Sequence, residues 1–311
     1  MSKAPLIIVA GPTAVGKTAL SLELAERLGG EIISADSMQV YRHMDIGTAK
    51  IDRQAMRGIP HHLIDILEPS EDFSVAIFQK MAKECINAMA RRGKIPIVTG
   101  GTGFYIQALL YDIDFSAAAG PDVRAELEAL ARENGSAHLH RMLAAKDPVA
   151  AAAIHENNRK RIIRALEYYQ QTGTPISRHN EAERQRSSPY DFRYFVLHDE
   201  RRRNYAEIER RVDRMIESGL VDEVKTLRGM GLGRDMVSMQ GLGYKEILAY
   251  LDGEMALDEA INLIKRNTRR FAKRQLTWFR REREVIWLYK PDFAADGAIV
   301  DTMLGEVGNA K

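Results

Sequence analysis

Short apolar runs alternate with longer segments of helical periodicity over the first third of the chain. The runs PLIIVA (5–10), EIISAD (31–36) and IPIVT (95–99) are continuous stretches typical of buried parallel strands. Leucines repeat at helical spacing over 20–28, and residues 72–94 form a longer amphipathic segment. Strands that alternate with helices predict an α/β fold with a parallel sheet.

The pattern changes near residue 116, where the chain becomes rich in alanine and charge and loses its strand-like runs. Pro121 and Pro148 are typical first residues of helices. Strand-like runs return at YFVLH (194–198) and EVIWLYK (284–290). We therefore predict a core formed by residues 1–116 and 191–311, interrupted by a helical insertion domain at 117–190. The tail after Pro291 has few apolar residues, and we expect it to fray.

Composition agrees with a globular protein of about two domains. The chain has 311 residues, of which 45% are hydrophobic and 28% charged, enough to bury a core without disulfides. Cys85 is the one cysteine, which excludes a disulfide framework and a cysteine-based zinc site. No apolar run is long enough to span a bilayer. We expect a cytoplasmic protein, and nothing in the sequence demands an oligomer, so we expect a monomer.

The segment after the first predicted strand, GPTAVGKT, matches the phosphate-binding pattern G-x-x-x-x-G-K-[ST] and precedes an amphipathic helix. Backbone N–H groups of such a loop converge on phosphate oxygens, and the helix N-terminus favours anions. The lysine adds a cationic contact, and the threonine hydroxyl is placed to bind Mg²⁺. The motif predicts a core like that of the P-loop NTPases. The residues expected at the phosphate are Gly11, Pro12, Thr13, Ala14, Val15, Gly16, Lys17 and Thr18.

Two further predicted strands end in polar side chains, and the ends of parallel strands meet at one edge of a sheet. Asp36 could bind metal through water or act as a general base, although an Asx turn would also explain it. Thr102 follows Gly100 and Gly101 and offers a hydroxyl, although a flexible turn is an equally good interpretation. Adjacent histidines at 61–62 point to opposite faces of a strand, which favours a structural role over metal binding.

Basic residues are concentrated although the net charge is only +2. The segments 159–164, 201–203 and 265–283 could bind a polyanion or could be solvated helix faces. In the last segment, four cations fall near one helical face and three aromatic residues accompany them. The cations are Arg266, Arg270, Lys273 and Arg280, and the aromatic residues are Phe271, Trp278 and Phe279.

Six motifs occur in a fixed order: GPTAVGKT, DSMQVYR, GGTGFY, RKRIIRALE, GYKE and KRQLTWFRRE. This series resembles the bacterial tRNA dimethylallyltransferases, also called tRNA isopentenyltransferases, from residue 6 to about residue 290. The resemblance implies transfer of a dimethylallyl group from dimethylallyl diphosphate to N6 of the adenine 3′ of the anticodon in tRNA. It also implies diphosphate release, Mg²⁺ as cofactor, and the anticodon stem-loop as the part of tRNA that is bound.

The resemblance also assigns residue roles. Lys17 and Thr18 would hold the diphosphate and its Mg²⁺, Asp36 would be the general base, and Thr102 would lie at the reaction centre. Arg211 would bind diphosphate, with Arg210 and Arg214 as neighbouring candidates. One departure is Lys160, where a glutamine is usual. The residues expected to contact tRNA are Asp36, Ser37, Met38, Gln39, Thr102, Arg124, Lys160, Arg161, Ile162, Ile163, Arg164, Gln240, Gly241, Leu242, Gly243, Tyr244, Lys245, Lys273, Arg274, Gln275, Leu276, Thr277, Trp278, Phe279 and Arg280.

Two other functions share the phosphate motif. A small-molecule or nucleotide kinase that binds ATP would have the same fold class and the same need for Mg²⁺, but it would not explain DSMQVYR or the basic aromatic segment. A nucleic-acid-binding ATPase would need a second acidic motif at the end of an apolar strand, and the sequence shows none.

Overall fold

The computed structural model describes residues 3–115 and 121–308. The chain forms two compact units, one made of the residues up to Leu110 together with those from Pro189 onwards, the other Tyr111–Ser188. The insertion was predicted at 117–190, and its predicted first residue lies outside the described residues. Each unit is built around its own core.

The first unit contains the sheet. Its elements before the second unit are β1 (Ala4–Ala10), α1 (Lys17–Leu28), β2 (Glu31–Ser34), β3 (His61–His62), α2 (Val75–Arg91), β4 (Pro96–Gly100) and α3 (Gly103–Leu110). After it come β5 (Tyr190–His198), α8 (Arg201–Glu217), α9 (Leu220–Gly229), α10 (Tyr244–Leu251), α11 (Leu257–Phe279), β6 (Val285–Tyr289) and α12 (Asp296–Gly308).

The strands pair in parallel in the order β3-β2-β4-β1-β5-β6. The predicted parallel α/β core is therefore confirmed. β1 lies between β4 and β5 and is fully buried from Leu6 onwards, as its continuous apolar run requires. The carboxyl ends of β1, β2 and β4 meet at one edge, so the three segments that follow them are brought together.

The two histidines form the short strand β3, as the prediction that they point to opposite faces assumed. The Nδ1 of His61 lies 2.8 Å from the carbonyl oxygen of Ile59, and the Nε2 of His62 lies 2.8 Å from a carboxylate oxygen of Glu31. Both rings therefore have structural partners, as the sequence favoured. Arg92 also binds Glu31, at 2.7 Å.

The prediction that the tail frays is wrong. Residues Asp296–Gly308 form α12. Its side chains Ile299, Val300 and Met303 are fully buried in the same hydrophobic core as residues of α1. Their spacing of one and three residues places them on one side of a helix. The prediction underestimated the apolar residues of this tail, since Phe293, Leu304 and Val307 also pack against the same core.

The second unit is helical, with α4 (Pro121–Lys146), α5 (Pro148–Ala153), α6 (Arg159–Thr172) and α7 (Ile176–Gln185). Pro121 and Pro148 begin helices as predicted. Its core contains Leu127, Leu139, Leu143, Ile162 and Leu166. Within the described residues, neither unit has a helix long and apolar enough to cross a bilayer.

Candidate active site

The phosphate-binding loop links β1 to α1, and its backbone is bent by two left-handed residues. Gly16, directly before α1, has φ of 97°, and Ala14 has φ of 63°. Glycine adopts a left-handed backbone readily, whereas alanine rarely does. The bend turns the chain so that α1 begins at Lys17, which places the N-terminal N–H groups of the helix beside the loop. These are the donors that an anion needs.

Lys17 folds back onto this loop, where its Nζ donates a hydrogen bond to the carbonyl oxygen of Pro12 at 2.8 Å. Burial of the ammonium group and, to a smaller extent, the positive charge of Arg211 together lower the pKa of Lys17 to about 7. The carboxylate of Asp36 acts in the opposite direction. Lys17, Arg211 and Asp36 are therefore close enough to interact, although they come from α1, α8 and the end of β2.

Arg211 is the one of three candidate arginines whose described contacts reach the loop. Its guanidinium lies 3.5 Å from the hydroxyl of Thr13. Arg210 and Arg214 are exposed and each bind Glu207, at 2.7 Å. Burial lowers the pKa of Arg211, while Glu207 raises it, but an arginine stays charged at neutral pH. The geometry thus favours Arg211 at the phosphate and gives its neighbours a role in holding α8.

Asp36 begins the turn after β2, where its Oδ1 accepts a hydrogen bond from the backbone N–H of Met38 at 2.9 Å. This is the Asx turn that the sequence left as an alternative. Its side chain is partly exposed, as is that of Ser37, so the turn does not remove the carboxylate from solvent. Asp36 can therefore hold its turn and still present a free oxygen to a substrate.

Gln39 lies deeper in the same turn. Its Oε1 accepts from the hydroxyl of Ser34 at 3.2 Å, and its Nε2 donates to the carbonyl oxygen of Thr48 at 3.3 Å. Both amide atoms have protein partners, so contact with a base would require Gln39 to exchange one of these long hydrogen bonds. Whether it does so stays a prediction.

Thr102 is partly exposed in the turn between β4 and α3, and its N–H donates to the carbonyl oxygen of Ala35 at 3.3 Å. This hydrogen bond ties the turn after β4 to the segment that carries Asp36. The structure therefore brings together the three strand ends that the sequence singled out.

Glu223, on α9, organises the neighbouring loop and was missed by the sequence reading. Its carboxylate accepts hydrogen bonds from the backbone N–H groups of residues 45–47 at 2.7 to 3.1 Å, and from the hydroxyl of Tyr244 at 2.7 Å. Acidic residues are common on helix surfaces, so only the fold identifies this one. Tyr244 is fully buried, and its predicted contact with tRNA is not available to its side chain.

The segment just before Tyr244 lies beside the turn that begins at Asp36. A Cβ placed on Gly241 would lie 2.7 Å from the methyl carbon of Met38, so the two residues pack together. Gln240 is exposed, Leu242 and Lys245 are partly exposed, and Gly243 is buried. This segment therefore borders the turn that carries the candidate base.

Lys290 is a second residue that the sequence did not identify. It follows β6, and its Nζ lies 3.4 Å from the carbonyl oxygen of Val15 and 3.3 Å from a carboxylate oxygen of Asp296. It lines a cavity of about 460 Å³ together with Gly16, Arg203 and Arg211. Cationic side chains of α8 and of the segment after β6 therefore line a cavity beside the phosphate-binding loop.

The residues predicted on α11 divide between two faces. Lys273, Arg274, Thr277 and Arg280 are exposed, and Leu276 and Trp278 are partly exposed, whereas Gln275 and Phe279 are buried. The indole of Trp278 packs against Gly103. The exposed face can bind a polyanion, while the buried face packs on the sheet edge.

The predicted tRNA contacts of the second unit also divide by burial. Ile162 and Ile163 belong to its core, so their side chains are not available to RNA. Lys160, Arg161 and Arg124 are exposed, and Arg164 is partly exposed. Arg124 and Arg164 both lie within 4 Å of Glu167, at 3.6 and 3.9 Å, which leaves Lys160 and Arg161 as the cations with the greatest freedom to bind phosphate.

The described residues contain no group of three or more histidine, cysteine, aspartate or glutamate side chains that could hold a metal. Mg²⁺ does not require such a group when a phosphate and water supply most of its oxygens. The exposed hydroxyl of Thr18, at the start of α1, fits that kind of site.

Residues 39–282 match the family described as IPP transferase, and residues 4–65 match one described as isopentenyl transferase. The chain is 57% identical over 301 residues, 96% of each chain, to a tRNA dimethylallyltransferase of Lachnoclostridium phytofermentans. A tRNA dimethylallyltransferase of Carboxydothermus hydrogenoformans is 54% identical over 283 residues, 91% of each chain.

Solved structures also resemble this one. The full-length tRNA isopentenylpyrophosphate transferase of Bacillus halodurans has a TM-score of 0.75 and 48% identity, with 99% of this chain and 98% of that chain covered. A eukaryotic dimethylallyltransferase acting on tRNA has a TM-score of 0.83 and 29% identity, with 99% of this chain and 80% of that chain covered.

Proposed function

The chain belongs to the tRNA dimethylallyltransferase family, and from this premise we propose that it transfers a dimethylallyl group from dimethylallyl diphosphate to N6 of the adenine 3′ of the anticodon. The observation that carries the proposal is geometric: Lys17 and Arg211 both contact the phosphate-binding loop, and the segment that ends in Asp36 lies at the same edge of the sheet, tied to Thr102. A general base and an anion site are side by side there, as a transfer from a diphosphate to an amine requires.

The phosphate-binding loop takes the diphosphate as a leaving group. The carbon–oxygen bond of the donor breaks, and its electron pair stays with the diphosphate oxygen. Lys17, Arg211 and the N–H groups at the start of α1 face the negative charge that develops on this oxygen. Fixed donors aimed at developing charge lower the barrier because they need no reorganisation.

Asp36 acts on the acceptor. The exocyclic amine of adenine is a weak nucleophile, and it loses a proton as the new carbon–nitrogen bond forms. A carboxylate within hydrogen-bond reach accepts that proton, which is typically worth 10²–10⁴-fold in rate. The adenine has to leave its stack to reach this site, and the turn of Asp36, Met38 and Gln39 is where it would be held.

Mg²⁺ is part of the proposal. When bound, it would neutralise charge on the diphosphate. Thr18 is the residue that would hold it, through its hydroxyl, with the remaining ligands coming from the diphosphate and from water.

The experiment that tests the function is an RNA mass assay. The protein is incubated with Mg²⁺, dimethylallyl diphosphate and an anticodon stem-loop that carries adenine next to the anticodon. We expect the RNA to gain the mass of one dimethylallyl group, and a stem-loop with guanine at that position to gain none. A parallel reaction with ATP tests the kinase alternative, and turnover of ATP without a change in RNA mass would overturn the proposal.

A further inference from the structure

A second cavity, of about 650 Å³, opens at the same edge of the sheet as the candidate active site. It lies among the ends of β5 and β6, the start of α8 and the last two turns of α11. We call it the aromatic cavity and define it by His198, Lys273, Arg280, Trp287 and Tyr289. None of the roles described above uses His198, Trp287 or Tyr289.

Three rings form one wall of the aromatic cavity. The rings of His198 and Tyr289 are stacked, with centroids 4.7 Å apart and planes 24° apart, and Trp287 meets His198 edge-on with centroids 5.4 Å apart. The alternation of β6 explains this wall. Ile286 and Leu288 pack into the core on one face, so Trp287 and Tyr289 point to the other.

Trp287 is 38% exposed, so its indole is open to solvent. An exposed indole beside a stacked pair is a platform on which another flat ring can stack. Burial and the charge of Arg280 lower the pKa of His198. This shift favours the neutral imidazole, which does not repel the cations around it.

The cationic side of the aromatic cavity comes from α11. Lys273 and Arg280 are exposed, and neither forms an ion pair within the described parts of the chain. Arg201 lies over the ring of Tyr205, 5.1 Å from its centroid, and Asp199 and Glu200 also line the cavity. Flat rings beside cations match the two parts of a nucleotide, a base that stacks and a phosphate that pairs with cations.

We propose that the aromatic cavity binds an unpaired nucleotide of the RNA substrate, distinct from the adenosine that is modified. Its base stacks on the exposed indole of Trp287, and its phosphate is bound by Lys273 and Arg280. This inference rests on the proposed function, since it takes RNA as the substrate.

The position of the cavity separates this nucleotide from both other ligands. Pro12 is the residue of the phosphate-binding loop that lines it, and a proline has no N–H to offer a diphosphate. Three strand intervals separate β2, which carries Asp36, from β5, which carries His198. At about 4.8 Å per interval this is roughly 14 Å along the edge, further than one base reaches.

The test uses Trp287→Ala and Trp287→Phe in the full-length enzyme. The dissociation constant for the anticodon stem-loop and the KM for dimethylallyl diphosphate are measured separately. We expect Trp287→Ala to weaken RNA binding by roughly 5- to 150-fold, the range for loss of one stacked base, and to leave the donor KM unchanged. Trp287→Phe keeps a ring and should recover most of the affinity. Ile77→Ala removes a similarly exposed apolar side chain from α2, beside β2 and β4, and should change neither constant.

A second measurement identifies the nucleotide. Stem-loops carrying 5-iodouridine at one loop position at a time are irradiated with the enzyme, and the linked peptide is identified by mass spectrometry. A link from one loop position to the β6 peptide supports the proposal. A raised donor KM with unchanged RNA affinity would assign the aromatic cavity to the donor, and no change in either constant would leave it without a ligand; both results overturn the proposal. If the unmodified enzyme transfers no dimethylallyl group, the proposed function fails instead.

Discussion

Gln275 and Thr13 are joined by a hydrogen bond across 262 residues of sequence. The Oε1 of Gln275 accepts from the backbone N–H of Thr13 at 2.9 Å, and its Nε2 donates to the carbonyl oxygen of Gly101 at 2.9 Å. Gln275 is 6% exposed. One amide side chain from the basic helix α11 thus fixes both the phosphate-binding loop and the turn that carries Thr102. A Cβ on Gly101 would lie 2.2 Å from this Nε2, so only glycine allows the approach.

The first prediction concerns this amide. Gln275→Leu keeps a side chain of similar size but leaves the Thr13 N–H and the Gly101 carbonyl without partners. Each unsatisfied buried group costs about 1–3 kcal/mol. We expect a lower melting temperature and a raised KM for dimethylallyl diphosphate, measured by calorimetry and steady-state kinetics. The neighbouring variant Arg274→Ala removes an exposed charge and should leave the donor KM unchanged. Equal donor KM values for both variants would show that the loop does not depend on Gln275.

Gln275 was predicted from the sequence to contact tRNA, whereas the structure buries it and gives both of its amide atoms protein partners. The buried residues Ile264, Thr268, Ala272, Gln275 and Phe279 recur every three or four positions, which is the spacing of one side of a helix. A glutamine in that series is a signal of an internal hydrogen bond. Its partners could not be predicted, because they lie in segments far away in the chain. Glu223 and Lys290 were missed for the same reason.

The strand ends were predictable because parallel strands place their carboxyl ends at one edge. This rule brought Lys17, Asp36 and Thr102 together from local patterns alone. The sequence did not show which residues of the insertion are buried. Ile162 and Ile163 belong to a motif of the family, and the motif does not distinguish residues that contact RNA from residues that hold the helix in place.

The second prediction concerns proton uptake by Lys17. In the free protein its pKa is about 7, so at pH 8.5 the side chain is mostly neutral. A bound diphosphate favours the charged form and raises the pKa. Binding of the diphosphate at pH 8.5 should therefore be accompanied by uptake of a proton. The affinity of the protein for the diphosphate should fall as the pH rises from 7.5 to 9.5.

Titration calorimetry in two buffers of different ionisation enthalpy measures the number of protons taken up. Lys17→Met, which cannot titrate, should bind the diphosphate more weakly at neutral pH and take up no proton through this residue. The same uptake in Lys17→Met and in the unmodified enzyme would assign the proton to another group.

The third prediction concerns Asp36. Asp36→Asn keeps an oxygen that can accept the N–H of Met38, so the turn is preserved, but the amide cannot accept a proton. Turnover should fall by roughly 10²–10⁴-fold, while the dissociation constant for the anticodon stem-loop should change little. Single-turnover assays and RNA binding measure the two effects separately. Losses of equal size in turnover and in RNA affinity would indicate that Asp36 binds RNA and does not act as a base.

The fourth prediction concerns the bond between Tyr244 and Glu223. Tyr244→Phe removes a hydrogen bond to a charged group, which is worth about 1.5–3 kcal/mol, but leaves Glu223 bound to the N–H groups of residues 45–47. Glu223→Ala removes all of these bonds and should destabilise the protein more. Both effects appear as shifts in the midpoint of urea denaturation. If Tyr244→Phe were the more destabilising of the two, the carboxylate would not be the centre of this network.

The last prediction concerns the charges on α11, which the structure divides in two. Lys265 and Arg269 are paired with Asp213 and Glu209 of α8, at 2.5 and 2.6 Å, so their charge is neutralised. Arg270 is exposed and forms no ion pair within the described residues, and it is free to bind a phosphate of RNA.

The logarithm of RNA affinity should fall linearly with the logarithm of salt concentration, and loss of one phosphate contact should flatten the slope by about 0.7–0.9. We expect Arg270→Ala to do so in filter-binding titrations between about 50 and 200 mM salt. Lys80→Ala, which removes an exposed charge from α2, should leave the slope unchanged. An unchanged slope for Arg270→Ala would place this part of α11 outside the RNA interface, since a phosphate contact cannot be lost without releasing fewer counterions.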